Sequence, residues 1–313
     1  MKFKKRLRPI FYILFFSLLA SCLLALTTVA FFKLISPVTD NSFRTDNITD
    51  NTLFANYITS EILAKDYSLS PVANFNSDYD VAPKTQAAGT VRIPVLTYHQ
   101  VAPLPNNPRT RDYYVSPTMF DMQMAYLSDK NYKTLTPKEF YDILASGKNP
   151  EQKSVLLTFD DGNYNNYQNA FPILVKYKMT GTFYVPSHRS GIKSNQIQEM
   201  AKAGMVIDPH GKTHMMLRNV TDGESLYQEL VVSKNALQGI SGQTVYSFCY
   251  PGCEYNGAVT STLAANGYLL GFSCGRSVDH KLGGRFSLSR IHVYEDMNHF
   301  KSILSGVVYY PTY

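Results

Sequence analysis

From Val91 onward, short apolar runs alternate with stretches of helical periodicity, and few folds accommodate that alternation. The apolar runs predict strands over 91–100, 132–135, 155–160, 180–186, 205–208, 245–250, 268–273 and 288–293. The periodic stretches between them predict helices over 117–130, 137–147, 164–177, 194–203, 223–239, 257–266 and 296–304. Thr136 suits an N-cap, Pro137 a first helical turn where a missing N–H costs nothing, and Gly147 a helix end. Strands separated by helices of this length imply right-handed βαβ crossovers and a parallel sheet. Seven or eight such units in about 215 residues predict an α/β fold, a distorted (β/α)7-8 barrel rather than a doubly wound sheet. A barrel of this kind carries its chemistry at the C-terminal ends of its strands. Asp160, Asp161, His210, Pro251 and His292 all fall at or near such predicted ends.

The first 35 residues are of another kind. Lys2, Lys4, Lys5, Arg6 and Arg8 precede an apolar stretch from Pro9 to Ile35 that holds a single charge, Lys33. Residues 9–32 are long enough to cross a bilayer as one helix, and the basic cluster places the N-terminus in the cytoplasm. The expected organisation is a cytoplasmic basic segment (1–8), a transmembrane signal anchor (9–35), a polar stalk (36–89) and a catalytic domain (90–313) outside the cell. Cys22, after Leu19-Ala20-Ser21, leaves cleavage or lipidation open, although the run to Phe32 stays apolar. The six basic side chains of residues 1–35 account for the whole net charge of +6, so residues 36–313 are neutral. A neutral ectodomain offers no electrostatic footprint for nucleic acid. Cys249, Cys253 and Cys274 allow at most one disulfide outside the membrane segment.

The run Leu156-Leu157-Thr158-Phe159-Asp160-Asp161-Gly162 ends an apolar strand on two acids. Asp-Gly after a strand is a common turn, but an acid facing the interior there needs a partner for its charge. Downstream come His210 and His214, with Pro209 and Gly211 arguing for a loop rather than a helix. One carboxylate with two histidines is a common ligand set for a hydrolytic metal and leaves positions open for water and substrate. The adjacent second acid is then free to act as a base. Converging, these four residues would make a metal-dependent hydrolase.

Thr158-Phe159-Asp160-Asp161-Gly162, the His210/His214 pair, Phe248-Cys249-Tyr250-Pro251-Gly252-Cys253 and Ile93-Pro94-Val95-Leu96-Thr97-Tyr98-His99 are similar to motifs of one family. Over about 91–306 the chain resembles the polysaccharide deacetylases of carbohydrate esterase family 4 (the NodB-homology domain). The likeness is greatest to membrane-associated and biofilm poly-N-acetylglucosamine deacetylases. The resemblance implies that Asp160 is the general base and that Asp161, His210 and His214 hold one divalent metal ion, zinc first, with cobalt, nickel or iron as alternatives. It also implies that the Gly252 backbone N–H donates to the oxyanion and that Pro251 and Tyr255 line the substrate groove. The implied reaction releases acetate from N-acetylglucosamine-type units of peptidoglycan or poly-N-acetylglucosamine at the bacterial cell surface.

The chain departs from the family pattern in several places. Pro209 and Gly211 flank His210 where the family has Ser-His-Thr, and Cys253 replaces a usual Gly. Cys249 stands where the family has an Arg that orients the catalytic Asp; Arg290, in Leu288-Ser289-Arg290-Ile291, is the candidate substitute. The family's late histidine acid is not evident. His292 is the nearest candidate, with His99, His188 and His280 competing. Two other functions stay open: a catalytically degenerate glycan binder, and a small-molecule acyl amidohydrolase or esterase.

Overall fold

The strands, in chain order, are β1 (Val91–Arg92), β2 (Val95–Tyr98), β3 (Gln100–Val101), β4 (Tyr114–Val115), β5 (Lys133–Thr134), β6 (Ser154–Phe159), β7 (Thr182–Val185), β8 (Val206–Pro209), β9 (Ser247–Cys249), β10 (Leu270–Phe272), β11 (Asp279–His280) and β12 (Ile291–His292). They belong to a computed structural model that describes residues 89–308. The expected basic segment, the anchor and the stalk up to residue 88 lie outside the described residues. Among the described residues no helix is long and apolar enough to cross a membrane.

Parallel pairing runs β12-β2-β6-β7-β8, and β9 pairs in parallel with β10. The stretch before β12 continues the ring from β10: Leu288 N donates to Gly271 O (2.9 Å), Ser273 N to Leu288 O (2.9 Å) and Gly275 N to Arg290 O (3.0 Å). Among the described residues, seven parallel strands therefore make a barrel with one unpaired seam, between β8 and β9. There the Asp208 carboxylate accepts from Ser247 through its backbone N (3.0 Å) and its hydroxyl (2.5 Å).

The connecting helices follow the expected pattern. Pro117–Asp129, Pro137–Ser146, Ser194–Lys202, Gly257–Ala265 and Met297–Ser305 form as single helices. The Thr136 side chain and Glu139 make a reciprocal capping box, and Gly147 closes that helix at φ 65°. Two helices contain wider π turns, Asn166–Ala170 ahead of Phe171–Lys176, and Tyr227–Val232 between Gly223–Leu226 and Ser233–Ser241.

Alternation along β6 decides what faces the barrel interior. Val155, Leu157 and Phe159 join Leu96, Tyr98, Phe183, Val185 and Ile207 in a cluster shared with the helices. Phe159 stacks between Phe183 (4.5 Å) and Tyr98 (5.3 Å), and burying a ring of this kind stabilises by roughly 1.5–3 kcal/mol. Leu156, of the opposite parity, joins Val95, Tyr184, Leu270, Phe272 and Leu288, with Phe140, Tyr141 and Leu144 packed on them. Toward the strand C-termini this inner set turns polar. Thr158 donates to Leu96 O (2.7 Å), and Asp160, two residues on, is directed inward by the same parity.

Candidate active site

Asp160 is 3% exposed and needs compensation for its charge. Arg290, itself buried, supplies it as a fork: Nη1 donates to Oδ1 and Nη2 to Oδ2, both at 2.7 Å. The guanidinium is fixed in turn by Nη1 to Thr158 Oγ1 (3.1 Å) and Nε to Ser273 O (3.2 Å). Burial pushes the Asp160 pKa up, but the charge and hydrogen bonds of Arg290 outweigh it and hold the carboxyl at about 2. The Cys249 thiol lies 3.7 Å from Oδ2. The Arg expected at position 249 is thus replaced by one reaching Asp160 from the stretch leading into β12.

Asp161 turns its carboxylate elsewhere. Its backbone is left-handed (φ 71°), a conformation Asp tolerates better than most residues, and Gly162 follows at φ 60°. A Cβ on Gly162 would lie 2.7 Å from Ser190 Oγ, and the Gly162 carbonyl accepts from Gly191 N (2.8 Å) and Ile192 N (3.1 Å). Two successive positive-φ residues place adjacent acids in different surroundings. Asp161 Oδ1 faces His214 Nε2 at 3.1 Å and His210 Nε2 at 3.6 Å. Burial raises its pKa, but the two imidazoles facing it, His210 and His214, pull it well below the usual carboxylate range.

His210 is buried at the end of β8, and its Nδ1–H donates to the Cys249 carbonyl (2.8 Å), which leaves Nε2 toward Asp161. His214, left-handed at φ 66°, completes the group. One ligand atom from each of Asp161, His210 and His214 lies within 4.8 Å of the others, a donor set that fits a divalent cation. Ligand atoms of Asp160, His210 and Cys249 also lie within 4.8 Å of one another. There, however, the guanidinium occupies both carboxylate oxygens and its charge opposes a cation.

The remaining expected residues take varied positions. Pro251 is buried beside the histidine loop; a Cβ on Gly211 would lie 3.7 Å from its Cγ. Gly252 is exposed at φ 60° under Met216. Tyr255 stacks on Tyr250 at 4.4 Å. His292 commits Nε2–H to the Asp112 carbonyl (2.6 Å), while His99, 5.3 Å from it ring to ring, stands with Nε2 at 3.9 Å from Asp160 Oδ2. His280 is buried far along the chain on β11 and donates to Ile93 O (3.1 Å). Cys253 and Cys274 form a disulfide that ties the Gly252 turn to the end of β10, and Cys249 is a buried free thiol. Glu229, mid-helix and without any sequence pattern to mark it, is buried against the loop between the two histidines.

The polysaccharide deacetylase family model matches residues 147–271. YxkH of Bacillus subtilis, whose name assigns it to the polysaccharide deacetylases, is 31% identical over 211 residues, 66% of this chain and 73% of its own. The chain belongs to the polysaccharide deacetylase family. The poly-β-1,6-N-acetyl-D-glucosamine N-deacetylase of Staphylococcus aureus is 35% identical over 104 residues, 30% of this chain and 36% of that enzyme. Among solved structures, the deacetylase PplD of Streptococcus pyogenes, in complex with acetate, superposes with a TM-score of 0.63 at 27% identity, over 69% of this chain and 98% of its own. IcaB from Ammonifex degensii gives 0.60 at 25%, over 69% and 97%. The activity of this polysaccharide deacetylase is accordingly hydrolytic deacetylation of polysaccharide. The expected α/β architecture is that of its structural relatives.

Proposed function

We propose that the chain is a divalent-metal deacetylase acting on poly-N-acetylglucosamine at the cell surface, with Asp160 as base and Asp161, His210 and His214 as metal ligands. One observation carries this reading: an Arg290-held carboxylate stands next to an Asp-His-His donor set at the same end of the barrel. A bound cation, zinc by the donor types, supplies a Lewis acid for the acetamide carbonyl and lowers the pKa of the attacking water. Asp160, ionised at neutral pH, accepts the proton of that water, and the Gly252 N–H donates to the developing oxyanion. His99, the histidine facing Asp160, rather than His292 with its committed Nε2, donates the proton to the departing nitrogen. Water adds to the carbonyl carbon, the C–N bond breaks, and acetate and a free amine leave.

The polymer is chosen from the Staphylococcus aureus relative and the likeness to IcaB, with peptidoglycan as the competing target. A basic cluster ahead of residues 9–35 and the Cys253–Cys274 disulfide support anchoring in the cell membrane with the barrel in an oxidising compartment outside. Because Arg290 restrains Asp160, Cys249 no longer argues for a degenerate glycan binder. The test is acetate release by the zinc-loaded full-length protein from β-1,6-linked N-acetylglucosamine oligomers, chitin oligomers and peptidoglycan. Release is expected from the β-1,6 oligomers above the others. Preference for peptidoglycan would reassign the polymer, and turnover of aryl esters alone would establish the small-molecule reading.

A further inference from the structure

The loop joining the two histidine ligands has its backbone polar groups taken up from two sides. On one side Ser187 N donates to Gly211 O (3.1 Å) and His188 N to Lys212 O (2.9 Å). On the other a single buried carboxylate, Glu229, accepts from three donors: Lys212 N (2.7 Å) and Thr213 N (3.0 Å) on Oε2, and the Thr213 hydroxyl (2.6 Å) on Oε1. Glu229 is 2% exposed and sits in the π turn Tyr227–Val232, a local widening of the helix frequently found at functional sites. The contact is close enough to dictate sequence on the loop. Gly211 is left-handed at φ 78°, and a Cβ there would lie 2.7 Å from Glu229 Oε2. His214, one residue past the clamped segment, is itself held at φ 66°, a conformation a histidine keeps only when its surroundings impose it.

We propose that Glu229 is a positioning residue for the metal site, fixing the 211–213 loop so that His210 and His214 converge on Asp161. The inference rests on the metal-site reading above. Without the carboxylate, two backbone amides and a hydroxyl lose their acceptor, the loop relaxes toward water, and His214 leaves its left-handed conformation. Gln at 229 keeps the clamp, because its carbonyl oxygen can accept from both amides while its –NH₂ donates to Thr213 Oγ1. Geometry rather than charge is then the operative property.

The test is the zinc dissociation constant of the full-length, chelator-stripped protein, by competition with a chromophoric chelator, for wild type, Glu229→Ala, Glu229→Gln and Tyr268→Phe. Tyr268 donates its hydroxyl proton to Leu230 O (2.6 Å) in the same π turn rather than to the loop, so its variant reports general loosening of that helix. Glu229→Ala is expected to weaken zinc binding by about 10–100-fold, the usual effect of losing an outer-shell partner. Glu229→Gln and Tyr268→Phe should stay close to wild type, with circular dichroism confirming that all are folded. Equal weakening in the Ala and Gln variants would replace positioning by charge and overturn the proposal, as would unchanged affinity in Glu229→Ala. Comparable weakening in Tyr268→Phe would reduce Glu229 to a structural residue. Wild type that retains no zinc would remove the metal-site reading, and this proposal with it.

Discussion

Arg290 and Asp160 are separated by 130 positions in the chain and by two 2.7 Å hydrogen bonds in the fold. Both are buried, so removing one partner strands the charge of the other. Arg290→Met is expected to cost about 3–5 kcal/mol by urea denaturation and to remove acetate release. Arg290→Lys keeps a charge without the fork and should fall between. The acid/base assignment separates at the same scale. His99→Gln is expected to lower kcat by about a hundredfold or more, the lower end of what a positioned proton donor contributes, whereas His292→Gln should cost much less. A larger loss in the His292 variant would return the acid role to that residue. Asp160, Asp161 and the two histidines were legible because a strand ended on paired acids and a loop carried two imidazoles. Arg290 was legible only as a substitute for the Arg missing at position 249, since no local pattern shows that a residue 130 positions away reaches Asp160. Glu229 was silent for a related reason: an acid on a helix reads as solvated until the packing shows it buried.

Among the elements, the turn carrying Gly252 shows most clearly how local geometry is held. Cys253 is left-handed at φ 64°, costly for a side chain other than Gly or Asn, and it is secured by the disulfide to Cys274 and by Ser273 Oγ donating to its carbonyl (2.9 Å). The bridge spans a separation of 21 residues, so loop-closure entropy predicts a loss of about 3 kcal/mol in Cys253→Ser/Cys274→Ser, measured as the shift in the urea midpoint. An unchanged midpoint would mean that packing of Pro251 alone holds the turn. Helix starts and stops were readable where capping chemistry is local, as at Thr136 and Gly147. The π turns and the short helix Pro108–Arg111 were not, because widened or one-turn helices leave no periodicity long enough to detect.

At the scale of the molecule, the alternation of strand and helix was sufficient to read a parallel α/β barrel with its chemistry at one end. It could not show that the ring stays unpaired between β8 and β9, where the Asp208 side chain takes the place of a backbone ladder. A pH dependence of stability follows from His280, which pins β1 and β11 together with its ring against Phe140. Burial lowers its pKa to about 4, below the 6.5 of the unfolded chain. The unfolded state therefore binds the proton first on acidification. The contribution is complete above about pH 6.5 and is lost as pH falls toward 4, about 3 kcal/mol in all. Urea midpoints of His280→Gln should accordingly vary less than wild type between those limits; parallel profiles would assign the acid sensitivity to other groups.

The separate duties of the two adjacent aspartates are tested most directly by measuring zinc content and acetate release on the same sample of full-length Asp160→Asn. If Asp161, His210 and His214 hold the metal and Asp160 moves the proton, the variant keeps one zinc per chain and releases no acetate from N-acetylglucosamine oligomers. Acetate release at the wild-type rate, or loss of zinc together with activity, would contradict that division of labour.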